Sequence, residues 1–327
     1  MKKIILLTTL IICFKCYAQD CTPEQLRKME GTWKEGIKGS IKNVTPADLI
    51  KEKNVTGTIH KMISKNYKPT GCQITYGNAF GKVPAAGQTY IADPYYYSMY
   101  ILRYLCDPNS ADRSKFYVDI STPTTVNVAA NVIYCLGNLY AANMEPDDFR
   151  GYLKLEQRPV KKDGVWYMGE KVVGDYGRPS EIKEYRWLIT YGGTLPFSFL
   201  SRKEYLLIQK KRLEKTIKGE SNSTFYNTFL KNINDQLLTS EEELSKPAIS
   251  IWNDEERFTG FVLEGTRGSF FAVKPNLAYY RKSLAKSSPQ FFTVVYKISK
   301  GDTVFEDNYA AIKNAIDFVA LKNMLGK

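Results

Sequence analysis

Four of the six cysteines lie between residues 21 and 135 and none follows, so any disulfide framework is confined to the first half of this 327-residue chain. The other two, Cys13 and Cys16, sit in a segment laid out like a secretory signal peptide. Met1, Lys2 and Lys3 are followed by the apolar run Ile4–Ile12, and Tyr17, Ala18 and Gln19 precede a polar stretch. That run is too short for a spanning helix, which needs roughly 20 apolar residues. No other long apolar run occurs, so no membrane span is expected. Cys13, Cys16 and Cys21 each follow a residue that is not small, which argues against lipid attachment. Cleavage after Ala18 or Gln19 leaves an exported chain, periplasmic or extracellular. There Cys21, Cys72, Cys106 and Cys135 read as two disulfides, with all three pairings open.

The asymmetry implies an organisation: signal peptide over 1–18, a disulfide-stapled α+β domain over 19–145, and a cysteine-free α+β domain over 146–327. Local signals fill it in. Thr22-Pro23-Glu24-Gln25 is a helix start, with a cap, a proline at the first position and a glutamine at the third. Thr45-Pro46 opens a short helical stretch, and Val55–Tyr67 carries Ile59, Met62 and Ile63 at helical spacing. Residues 90–106 and 116–135 are rich in Tyr, Val, Ile and Thr and read as antiparallel strands. Asp163-Gly164 signals a hairpin turn between strands near 152–158 and 165–169. Further strands are expected near 185–191, 195–200, 258–263, 269–273 and 291–298. Ser201-Arg202-Lys203-Glu204 is a capping box opening a helix, a second helix follows over 225–238, and a third closes the chain over 309–325. Strands and helices segregate rather than alternate. The expected class is α+β, with antiparallel sheets, segregated helices and two lobes after the cleaved signal peptide.

Chemistry is restricted by a single count: His60 is the one histidine. Any Ser-His-Asp or Cys-His site would have to use it, and multi-histidine zinc sites are excluded. Phosphate-loop, dinucleotide and nucleophile-elbow motifs are absent. Carboxylate chemistry needs only two converging acids. Asp147-Asp148, Glu241–Glu243 and Asp254-Glu255-Glu256 are the acidic clusters, each in a loop or helix start where acids are ordinary. No catalytic, cofactor-binding or metal-ligating residue is assigned, and no cofactor is expected.

Tyrosine is the informative residue. Tyr90, Tyr95, Tyr96, Tyr97, Tyr100 and Tyr104 crowd one strand region. Alternation puts Tyr95 and Tyr97 on one face and Tyr96, Tyr100 and Tyr104 on the other. An amphipathic ring suits stacking on sugars, and cross-strand aromatic packing is the competing account. Tyr95, Tyr97 and Tyr100 are the candidate ligand-stacking residues. The net charge of +12 suits an anionic envelope component or a glycan as partner. Export argues against nucleic acid.

Three stretches resemble uncharacterised exported proteins of Bacteroidota-type bacteria: Tyr17-Ala18-Gln19, the run from Leu195 to Leu206, and Pro289–Tyr296. The resemblance lies mainly in the C-terminal half and carries no assigned activity. Asp302-Thr303-Val304 also resembles the O-glycosylation tripeptide of such proteins. The leading expectation is a non-catalytic binding or envelope-associated module. A carboxylate-dependent hydrolase of glycans or envelope polymers is the alternative, and a small-ligand binder with a cavity under the Tyr-rich sheet is a third reading.

Overall fold

A computed structural model describes residues 21–36, 38–84, 88–110, 114–122, 124–133, 136, 139–144, 152–174, 181–219, 223–251 and 258–327. The first elements are α1 (Pro23–Lys28), β1 (Thr32–Glu35), α2 (Pro46–Asn66), β2 (Cys72–Phe80), β3 (Gln88–Tyr90) and β4 (Tyr95–Cys106). Next come β5 (Phe116–Val118), β6 (Thr125–Ala130), β7 (Val132–Ile133), β8 (Leu139–Tyr140), β9 (Ala142–Met144), β10 (Leu153–Leu155), β11 (Val160–Lys162), β12 (Val165–Gly174), β13 (Ile182–Ile189) and β14 (Phe197–Phe199). The last are α3 (Arg202–Gly219), α4 (Ser223–Leu237), α5 (Glu241–Ser245), β15 (Ile249–Ile251), β16 (Ser269–Pro275), β17 (Phe292–Ser299), α6 (Thr303–Ala315) and α7 (Phe318–Asn323).

The class is α+β. A large sheet runs in the order β1-β2-β4-β6-β17-β13-β12-β11, with β5 paired to β4. A smaller one centres on β16, flanked by β10, β14 and β15. The pairs of both sheets are antiparallel except β1–β2, which is parallel. The expected boundary beside residue 145 falls in a stretch outside the described residues. Strands from both sides of it share the large sheet, because β17 lies between β6 and β13.

Local chemistry explains the elements. Thr22 and Gln25 form the capping box of α1, and Thr45 caps α2 ahead of Pro46. From that cap α2 runs unbroken for 21 residues, joining the two helical stretches that the sequence suggests separately. Asp163 (φ 49°) and Gly164 (φ 79°) are both left-handed, as a two-residue turn between β11 and β12 requires. The C-terminal helical stretch divides into α6, capped by Asp302, and α7, capped by Asp317. Residues 258–263 are not a strand; Phe258 and Phe261 instead pack their rings against Tyr205 of α3.

One face of the large sheet is covered by α2, α6 and α7. Its core joins Ile59 and Ile63 of α2, Tyr97, Met99 and Ile101 of β4, Val294 and Tyr296 of β17, and Phe305 and Ile312 of α6. Asn308 of α6 clamps the far end of α2. It accepts from the Tyr67 hydroxyl at 2.5 Å and donates to the Thr70 carbonyl at 2.8 Å. A second cluster lies under the small sheet, and a third joins that sheet to α3, α4 and α5 through Leu206, Leu213, Ile233 and Leu244.

A disulfide joins Cys21 to Cys106, tying the segment before α1 to the end of β4 across 85 positions of sequence. The expectation of two bridges needs correcting at Cys72, which is a free, buried thiol. It opens β2 with its side chain in the helix-covered core, and burial pushes the thiol up to about 12. Such a thiol is a small apolar filler rather than a nucleophile. Cys135 lies outside the described residues.

Candidate ligand-binding face

Strand β4 is buried on one face over 95–101 and carries two exposed tyrosines on the other. Tyr95, Tyr97, Met99 and Ile101 point into the helix-covered core. Tyr96 and Tyr100 point the other way and are 37% and 47% exposed. Of the three candidate stacking residues, Tyr100 is therefore on the open face. Tyr95 and Tyr97 are corrections: they are 1% and 0% exposed, because α2 packs on their side of the strand. Tyr96, assigned by alternation to the face of Tyr100, is the residue that should replace them.

The open face can be read off the register. Tyr96 lies opposite Ala79 and Ala129, Ser98 opposite Gly77 and Asn127, and Tyr100 opposite Thr75 and Thr125. Small neighbours on both flanks raise little bulk against either ring. Four residues of strand separate the rings by about 13 Å. Between them the Ser98 hydroxyl donates to Asn127 Oδ1 at 2.6 Å. Exposed Thr32 and Lys34 extend the face along β1, where they pair with Gln73 and Thr75. Val295 and Lys297 of β17 and Glu184 and Arg186 of β13 extend it the other way. Arg186 is held by Glu184 at 2.6 Å and Glu156 at 3.9 Å, so much of the local charge is already balanced. This side of β4 is open only in part: Tyr96 and Tyr100 are exposed, whereas Ser98 between them and Leu102 and Tyr104 beyond them are buried.

His60 is on the opposite side. Its Nδ1 is 2.9 Å from the Tyr97 hydroxyl, its ring stacks on Tyr76 at 4.2 Å, and Trp33 meets it edge-on at 5.4 Å. Burial holds its pKa below the ordinary value, so it is neutral at pH 7. This is aromatic packing within the core wall, not a base beside a nucleophile.

The acidic clusters divide. Asp147-Asp148 and Asp254–Glu256 lie outside the described residues. Glu241–Glu243 form the first turn of α5, where Glu241 pairs with Lys203 at 2.8 Å and Glu243 with Arg202 at 2.6 Å. These are helix-start acids, of which Glu241 and Glu243 are neutralised by neighbours.

A different set of acids converges. Asp48 and Glu52 of α2 approach Asp93, in the turn before β4. Glu52 is 0% exposed and Asp93 3%. Burial, then Asp93 and Asp48, push the Glu52 carboxyl up to about 8, whereas a hydrogen bond from Thr45 holds Asp48 low. The turn is fixed from behind by buried Asn131, which donates to the Asp93 carbonyl at 2.9 Å and accepts from the Gln290 amide at 2.7 Å. The Asp93 amide donates to the Lys286 carbonyl at 2.8 Å. Sequence reasoning misses Glu52 because the helix it expects begins at Val55. Extended back to the Thr45-Pro46 cap, the same periodicity puts Glu52 one turn before Thr56, on the buried stripe.

Two cavities bear on the small-ligand reading. One, of about 400 Å³, is bounded by Arg27, Arg103 and Asp302; the other, of about 330 Å³, lies between α2 and the β1–β2 edge beside Thr56, Gly57 and Asn78. Neither is lined by Tyr96, Tyr100, Glu52 or Asp93. Among the described residues no cluster of His, Cys, Asp and Glu could hold a metal ion, and no helix is long and apolar enough to cross a membrane. Comparison with protein families, curated proteins and solved structures finds no match for this chain.

Proposed function

We propose that this is an exported, non-catalytic binding module that lays the open face of its large sheet along a glycan. The observation that carries this reading is the pair Tyr96 and Tyr100, exposed on one face of one strand and flanked by small or hydroxylated residues. A phenol ring stacks on the apolar face of a sugar, and nearby Ser, Thr, Asn and Gln side chains exchange hydrogen bonds with its hydroxyls. Two rings about 13 Å apart along a strand suit a chain rather than a monosaccharide. The basic character of the whole molecule adds attraction toward acidic sugars at low salt. The signal-like N-terminus puts such a ligand within reach.

The hydrolase reading draws support from Glu52 and Asp48, whose environments push their pKa values apart as in an acid/base pair. Burial opposes it. A carboxyl that is 0% exposed does not meet a polymer.

The test is a glycan array and titration calorimetry on the mature chain. The reading expects retention of a defined set of oligosaccharides without turnover, and a loss of about tenfold or more in affinity for Tyr100→Ala. Release of shortened sugars, or identical binding by a Tyr96→Ala/Tyr100→Ala chain, would sink it.

A further inference from the structure

Glu52 stands where an apolar residue belongs. The buried positions along α2 are Glu52, Thr56, Ile59 and Ile63, spaced by three or four residues and hence on one helix face. That stripe is apolar toward the C-terminus and acidic toward the N-terminus. Neither Glu52 carboxyl oxygen has a hydrogen-bond partner among the described groups. The charges around it give no relief. Asp48, one turn earlier, and Asp93, across from it, are carboxylates themselves. Tyr95 brings a phenol, but its hydroxyl donates to the Ser287 carbonyl at 3.0 Å. Lys286 acts on Asp93, and Lys51 and Lys53 of α2 are exposed to solvent. An ionised Glu52 in this place would be an unpaired buried charge, among the costliest groups a core can hold.

We propose that Glu52 is a proton-controlled anchor of α2: as the neutral acid it lets the helix seat on the sheet, and on losing its proton it lifts the N-terminal half of the helix away.

The helix is built to divide there. Beyond Glu52 it is fastened by Ile59 and Ile63 in the core, by the His60–Tyr97 contact and by the Tyr67–Asn308 clamp. Before Glu52 none of its residues is fully buried. Ionisation therefore loosens the first turns and leaves the last three in place. The unfolded chain loses this proton near 4.5 and the folded chain at about 8. The stabilisation is complete below 4.5 and is lost as pH rises through 8. Asp93, also raised by burial, acts in the same sense. Asp48 and His60, both lowered, act in the opposite sense.

The experiment is hydrogen exchange of the mature protein at pH 5.5 and 8.5, corrected for intrinsic rates, together with carbon NMR titration of the Glu52 carboxyl. Protection over residues 46–56 should fall on the order of a hundredfold at the higher pH while residues 57–66 hold. Glu52→Gln should keep protection at both values. Asp93→Asn removes a neighbouring negative charge and should lower the Glu52 midpoint. A midpoint near 4.5 in the wild-type chain, equal pH responses in wild type and Glu52→Gln, or an unmoved midpoint in Asp93→Asn would overturn the proposal. If Glu52→Gln does not fold, the wild-type midpoint and the Asp93→Asn shift decide it.

Discussion

The two faces of β4 carry the same residue type to opposite ends. Tyr97, on the helix-covered face, is wholly buried against α2, and its hydroxyl meets His60. Tyr100, three residues on, is nearly half exposed beside threonines. Tyrosine is therefore not a functional signal here until its face is known. On one side it supplies packing area; on the other Tyr96 and Tyr100 offer rings to a ligand, whereas Tyr104, expected beside them, is buried against Phe116. Neighbours decide the difference: bulky apolar groups and helices on the first side, alanine, glycine and threonine on the second.

The widest gap between the faces should appear on truncation. Tyr97→Ala removes a buried ring and leaves a cavity, costing about 3–5 kcal/mol by analogy with other aromatic-to-alanine changes. Chemical denaturation would read this as a lowered midpoint; a loss under 1 kcal/mol would break the comparison. The disulfide sharpens it from outside either face. Cys21→Ser/Cys106→Ser releases a cross-link spanning 85 positions and should cost about 2–4 kcal/mol, leaving affinity for any ligand of the open face unchanged. Thermal melting in parallel with ligand titration checks both halves.

Acidity should separate the faces next. Stability resting on Glu52 falls as pH rises from about 4.5 toward 8, by about 1.4 kcal/mol per unit at most, and part of this is offset by His60 below its ordinary pKa. Denaturation midpoints at pH 5, 6.5 and 8 should decline, whereas ligand affinity below the midpoint stays flat. The smallest effect is at Tyr100→Ala, within about 0.5 kcal/mol in stability, because an exposed ring leaves no cavity. A larger loss by urea denaturation would mean that the open face is packed after all.

How much of this is legible in the sequence follows from the range of each signal. Period-two alternation separates Tyr95 and Tyr97 from Tyr96 and Tyr100 without any structure. It does not say which side a helix covers, and so two buried rings stand among the candidate ligand contacts. The caps at Thr22 and Thr45 and the Asp163-Gly164 turn are local and read directly. Pairings between distant segments are not. β17 joining β6, and β1 lying parallel to β2, depend on contacts across long stretches of chain that leave no local mark. Cys72 shows the same limit, since counting cysteines cannot reveal that one is walled into a core. Glu52 was within reach: a helix drawn from its cap rather than from its first apolar cluster shows an acid on the buried stripe.

Hydroxyl-radical footprinting of the protein, with and without an oligosaccharide retained on the array, tests the open face most directly. The expected result is protection concentrated at Tyr96 and Tyr100, with Tyr95 and Tyr97 unreactive in both states. Protection confined to another surface, with Tyr96 and Tyr100 equally oxidised throughout, would contradict the assignment of ligand binding to this side of β4.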